Sequence, residues 1–149
     1  MHLSEHFQFG EVTKTSVKTA DGNIPSRVHI ENLKNLCEYW LEDLRYIHNT
    51  LYGERDEPII ITSGYRSPEV NKRVGGSPTS NHLTGSAVDI RCVGIEQAIR
   101  YASILLDISD GTKRDFDELL IERNKQGRYW IHFAVRPKEN RRRTMFIQT

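Results

Sequence analysis

No run of Ile, Leu or Val in this chain exceeds three residues, the length of Ile59–Ile61. A membrane-spanning helix needs about 18 to 20 consecutive apolar residues, so none is predicted and a soluble protein without a membrane partner is expected. Cysteine is scarce. Cys37 and Cys92 are the only two and form no CxxC pattern, which argues against a disulfide framework and for buried free thiols. Net charge is almost absent as well: 21 Lys and Arg against 20 Asp and Glu leave +1. No overall field therefore draws the chain to nucleic acid or to a charged surface. Internal repeats and low-complexity segments are missing. The opening MHLSEHFQFGEV has no basic stretch followed by an apolar one, so a secretory signal is not expected.

What remains is an ordinary globular composition over 149 residues. That length suits one domain, residues 1–149, with enough chain to bury roughly two-thirds of its unfolded surface. Residues 1–25 are polar and irregular and read as an extended arm packed on the domain, ending in the Gly22–Asn23 turn signal and Pro25. From Val28, the positions Leu33, Leu36, Cys37, Trp40, Leu41, Leu44 and Ile47 keep helical spacing behind a Ser26 cap. A charged turn over Tyr52–Glu57 leads to a short β-branched strand, Pro58–Thr62.

Ser67-Pro68-Glu69 opens a short helix that reaches Val74 and stops at Gly75-Gly76. A polar loop, Ser77–Asn81, precedes a strand at Ala87–Arg91, and an amphipathic helix from Ile95 ends near Asp107. Phe116–Glu122 and Tyr129–Val135 flank the turn residues Asn124–Gly127 as a hairpin, and Thr144–Gln148 supplies a further strand. The predicted class is α+β, with a mainly antiparallel sheet and helices packed on one side.

Two segments carry chemistry: Ser80–Asp89 (SNHLTGSAVD) and Tyr129–Val135 (YWIHFAV). They contribute His82, Asp89 and His132, a two-histidine, one-carboxylate set of the kind a catalytic zinc uses, with its fourth position left to water. A helix would place His82 and Asp89 nearly two turns apart. A loop entering a strand brings them together: Gly85 permits the tight turn, Ala87 removes bulk, and Asp89 projects from the strand face. Alternation puts Trp130, His132 and Ala134 on one face of their strand and Tyr129, Ile131, Phe133 and Val135 on the other. Taken singly, each residue has an ordinary explanation as a loop histidine, a capping carboxylate or a satisfied strand histidine. Together they make a metal set. His2, His6, His29 and His48 lie on the N-terminal arm or the first helix and are assigned no role.

The segments SGYRSPEVNKRVGGSPTSNHLTGSAVDI, FDELLIE and WIHF, with LSEHF before them and NRR after, resemble the zinc D-Ala-D-Ala carboxypeptidase family, whose relatives include the Hedgehog signalling domain. The similarity is greatest to small single-domain members from bacteria and their phages, and it extends over nearly the whole chain. It implies the Hedgehog/DD-peptidase fold with one zinc cleft. It also implies that His82, Asp89 and His132 bind Zn²⁺, with the fourth position open to water and a peptide carbonyl.

Hydrolysis further needs a carboxylate to move a proton. Many relatives place it three residues before the last histidine, where this chain has Tyr129. The Hedgehog-like arrangement puts a glutamate at the end of the preceding strand, which selects Glu122 in FDELLIE. Glu118 shares its face and Asp117 lies on the other, so these two stay as alternatives, Asp117 fitting better as a structural hydrogen-bonder.

Arg66, at a strand end, can clamp a carboxylate or carbonyl through two parallel bonds, and the resemblance implies that it contacts and orients the substrate. Ser80 is the motif serine beside the site and is expected to bond substrate or a ligand loop. Trp130 fits either a cleft wall or the core.

The arginine-rich Arg136–Arg143 reads as a solvated hairpin turn, not a nucleic-acid surface, since no aromatic residues interleave with it. The implied substrate is the stem peptide of bacterial peptidoglycan, cut at a D-Ala-D-Ala or an L-Ala-D-Glu type of bond. Synthesis in the cytoplasm, release to the wall through lysis, a holin or a phage particle, and a monomeric state are expected. A non-catalytic zinc module in phage or cell-wall assembly is the competing class.

Overall fold

The computed structural model describes residues 1–53 and 55–149. Helix α1 (Arg27–Leu36) starts at Ser26, whose Oγ accepts the His29 amide at 3.3 Å. It runs through a π turn at Cys37–Leu41 into α2 (Glu42–Tyr52). Leu33, Leu36, Cys37, Trp40, Leu41 and Leu44 are buried along this stretch, as the helical spacing predicts. Tyr52 closes α2 rather than opening a turn, and the expected turn over 52–57 falls partly on residue 54, outside the described residues. Strand β1 is Ile61–Ser63, shorter and later than the β-branched run suggests. Pro58 at the head of that run has no amide to give to a ladder.

Helix α3 (Pro68–Arg73) is capped by Ser67, with Pro68 in its first turn. Then come β2 (Ala87–Cys92), α4 (Ile95–Thr112), β3 (Glu118–Arg123), β4 (Tyr129–Ala134) and β5 (Arg143–Gln148). Helix α4 continues past Asp107 because Ile104 and Ile108, one turn apart, are both buried.

The five strands form one sheet in the order β1-β2-β4-β3-β5. Pairings β1/β2, β2/β4 and β4/β3 are antiparallel, whereas β3/β5 is parallel, so the sheet is mixed. Strand β3 lies between β4 and β5, and Ala134 and Arg143 both stand in register with Glu118. Residues 135–142 therefore cross over the start of β3 to its far edge, which corrects the expectation of a hairpin turn there.

The N-terminal residues also depart from an extended arm. They contain a 3-10 helix at Phe9–Val12 and a bridge between His2 and Gln8, and they bury Leu3, Phe7 and Val12. The Val12 carbonyl accepts the Tyr65 amide at 2.7 Å. Gly64 makes that crossing feasible, since a Cβ there would overlap the Val12 backbone.

Alternation divides the sheet into two faces. Val88, Ile90, Leu119, Ile131 and Phe133 point into the core beneath α4 and the π turn, where Trp40 meets Phe116 edge-on and Phe133 at a tilt. The other face carries Asp89, Glu118, Leu120, Glu122, Trp130 and His132. Cys37 and Cys92 are free thiols inside the core, and burial pushes both up to about 12.

Candidate metal centre

His82 lies on a 3-10 turn, Asn81–Thr84, whose start is fixed by the Ser80 hydroxyl accepting the His82 amide at 3.1 Å. Gly85 ends the turn at φ +68°, where an added Cβ would overlap the His29 carbonyl. The chain then enters β2 and reaches Asp89, which sits in register with His132 on β4. Donor atoms of His82, Asp89 and His132 all lie within 4.8 Å of one another. The loop-into-strand geometry expected for His82 and Asp89 is thus the one observed.

Hydrogen bonding determines which ring nitrogens face inward. His82 Nδ1 is 2.6 Å from the Gly64 carbonyl. A carbonyl only accepts, so Nδ1 carries the proton and Nε2, 3.4 Å from Asp89 Oδ1, presents a lone pair. On His132, Nε2 is 3.0 Å from Glu118 Oε1 and Nδ1 is 3.2 Å from Asp89 Oδ1. With Nε2 donating to the Glu118 carboxylate, Nδ1 is the inward lone pair.

With both imidazoles neutral, two lone pairs and a carboxylate oxygen converge with no proton among them, an arrangement that calls for a cation. Zn²⁺ accepts this donor set, and each histidine already has the outer hydrogen bond that orients a metal ligand. Without a cation, His132 supplies the positive charge itself. Burial pulls its pKa down, but the hydrogen bonds and charges of Asp89 and Glu118 outweigh that and raise it to about 9. Asp89 mirrors this: burial raises it, while His82 and His132 hold it well below the usual carboxylate range.

These residues open into a cavity of about 370 Å³ that is also lined by Arg66, Ser80, Glu122 and Trp130. Of the candidate site residues singled out from the sequence, all but Asp117 therefore border one cleft. Arg66 Nε donates to Ser63 Oγ at 3.3 Å, and its Nη2 is 3.5 Å from Asp89 Oδ2. Trp130 is half-buried in the cleft wall and donates from Nε1 to Glu122 Oε2 at 3.1 Å. Glu122 is raised above the ordinary glutamate value, first by burial and then by the Asp89 charge.

Glu118 has the opposite surroundings. The hydrogen bond from His132 lowers it against the effect of burial, and Asn81 Nδ2 (2.8 Å) and Arg143 Nη1 (3.1 Å) hold its two oxygens. Asp117, one residue before β3, is completely buried. It takes Arg141 Nε and Nη2 at 3.0 and 2.8 Å and Asn81 Nδ2 at 2.7 Å. Burial would raise its carboxyl, yet these donors hold it well below the usual range. Its partners make it a structural hydrogen-bonder, although they reach it from the cleft side and not from an opposite strand face.

The residues that sequence reading missed are Asn81, Arg136, Arg141 and Arg143, all of which line the cleft. Asn81 stands beside His82 inside the recognised motif. Arg136 follows directly on β4, whereas Arg141 and Arg143 carry no local signal, because the parallel β3/β5 pairing brings them here.

No helix among the described residues is long and apolar enough to cross a membrane. A family model described as Peptidase M15 matches residues 5–125, a span that contains His82 and Asp89 and stops before His132. No curated protein matches the chain.

Proposed function

The chain belongs to the peptidase M15 family, a family of zinc-dependent peptidases, and from that membership we propose that it hydrolyses peptide bonds in the stem peptides of bacterial peptidoglycan. His82 Nε2, an Asp89 carboxylate oxygen and His132 Nδ1 would hold the zinc. When bound, the ion supplies Lewis acidity, polarising the scissile carbonyl and lowering the pKa of a water.

The observation that carries the proposal is that both histidines already use one ring nitrogen on a protein acceptor and turn the other toward Asp89, on the same sheet face as Glu122. Glu122 takes the proton from the attacking water and returns it to the leaving amine. Its raised pKa suits both transfers, and its single hydrogen bond among the described residues, from Trp130, orients it without neutralising it. Glu118 is a poor base because His132, Asn81 and Arg143 occupy its oxygens. Its role is to keep the His132 tautomer. Arg66 holds a carbonyl or carboxylate of the peptide through the N–H groups not directed at Ser63 and Asp89. Ser80 fixes the loop that carries His82.

The test is incubation of the zinc-loaded protein with purified peptidoglycan. New amino groups that appear, and that a chelator suppresses, are expected. Bound zinc without hydrolysis across several wall types would instead identify a non-catalytic zinc module.

A further inference from the structure

The crossover from β4 to β5 brings three guanidinium groups into the cleft on its Glu118 side. Arg143 stands opposite Glu118 in the parallel β3/β5 register. Arg141 is forked onto Asp117 and lies 3.8 Å from Glu118. Arg136 Nε is 2.9 Å from Asn81 Oδ1 and 3.2 Å from Asp117 Oδ2. Three cations thus face two carboxylates, and one of those, Asp117, is sealed from solvent at 0% side-chain exposure. The arginine side chains keep 30%, 44% and 41% of their surface open for Arg136, Arg141 and Arg143. Each also has N–H groups outside its contacts with protein.

Held by Asp117, Asn81 and Glu118, these side chains are already ordered, so a ligand would not bear the entropy of fixing them. A planar monoanion matches both the surplus charge and the fork geometry.

We propose that Arg136, Arg141 and Arg143 form a carboxylate-binding wall beside the metal site, so that the preferred substrate is an acidic stem peptide with a free carboxylate directed to that side of the scissile bond. This rests on the peptidase reading above and adds a specificity determinant to it. Two carboxylates of such a peptide are eligible: the α-carboxylate of its D-glutamate and the one at its C-terminus.

The experiment is calorimetric titration of zinc-loaded Glu122→Gln protein, with and without Arg143→Gln, using three synthetic stem pentapeptides. One has both carboxylates free, one carries the glutamate α-group as carboxamide, and one is amidated at its C-terminus. One of the amides is expected to bind about tenfold more weakly than the parent peptide. In the Arg143→Gln background the parent should weaken to the level of that amide, which itself stays unchanged. The identity of the weak amide names the carboxylate.

Equal binding of all three peptides would overturn the proposal. So would a tenfold preference that survives both Arg143→Gln and Arg136→Gln. A general loss of packing lowers the affinity for every peptide alike and leaves their ratio intact, which separates it from a recognition role. Because binding is read without turnover, absence of hydrolysis in the wild type would count against the peptidase reading alone.

Discussion

Glu118 and Glu122 stand on the same face of β3, four residues apart, and line the same cleft. Their surroundings are opposed. At the Glu118 end, a histidine, an asparagine and two arginines surround the carboxylate, and its pKa is lowered. At the Glu122 end, Trp130 and burial leave the carboxylate with one donor, and its pKa is raised. In the proposed function, one end of the strand keeps a negative charge in place to orient a metal ligand, and the other keeps a proton acceptor ready. Residue type and strand face are identical, so neighbours decide the role.

Removing the centre that both glutamates serve has the largest effect: His132→Ala should abolish zinc binding and hydrolysis together, read by metal content and amino-group release. At the Glu122 end, Glu122→Gln should lower kcat by about 10² to 10⁴ while leaving zinc at one per chain. At the Glu118 end, Glu118→Gln should instead weaken zinc about 10- to 100-fold in a competition titration, with hydrolysis recovering at saturating zinc.

The anchor behind that end can be tested by stability. Asp117→Asn leaves Arg136 and Arg141 without their buried partner and should cost about 3 kcal/mol, a fall in Tm of roughly 9 °C. Because the Asp117 carboxyl is depressed in the folded state, its contribution is complete above the unfolded value near 4 and is lost as the pH falls below it. Melting curves of wild type and variant should therefore converge in acid.

The smallest effect belongs to Trp130→Phe. Losing the indole donor removes a contact that favours the Glu122 carboxylate, so its pKa rises further. The acid limb of the kcat/KM profile, where activity falls as the base is protonated, should move to higher pH.

The clustering of His82, Asp89 and His132 was legible in the sequence because a turn glycine and strand alternation are local properties, and His82, Gly85, Asp89 and His132 obey them. Alternation also places Glu118 and Glu122 on one face, but it does not extend to Asp117, which precedes the strand and shares Asn81 with Glu118. What alternation cannot give is the neighbour across the sheet. The β5 strand is visible as an apolar stretch, but its parallel pairing with β3 depends on a crossover whose polar residues resemble any solvent loop. That one pairing turns an arginine run into a cleft wall and separates the two glutamates chemically. The N-terminal segment packs on the domain, but its 3-10 turn is not legible for a related reason, since Leu3, Phe7 and Val12 have no strict period and are ordered by tertiary burial.

The most direct test of the account compares Glu122→Gln with Glu118→Gln at saturating zinc, measuring metal content and stem-peptide hydrolysis on the same samples. The prediction is one zinc per chain in both, with hydrolysis lost only in Glu122→Gln; hydrolysis retained in Glu122→Gln and lost in Glu118→Gln would reverse the assignment and contradict the account.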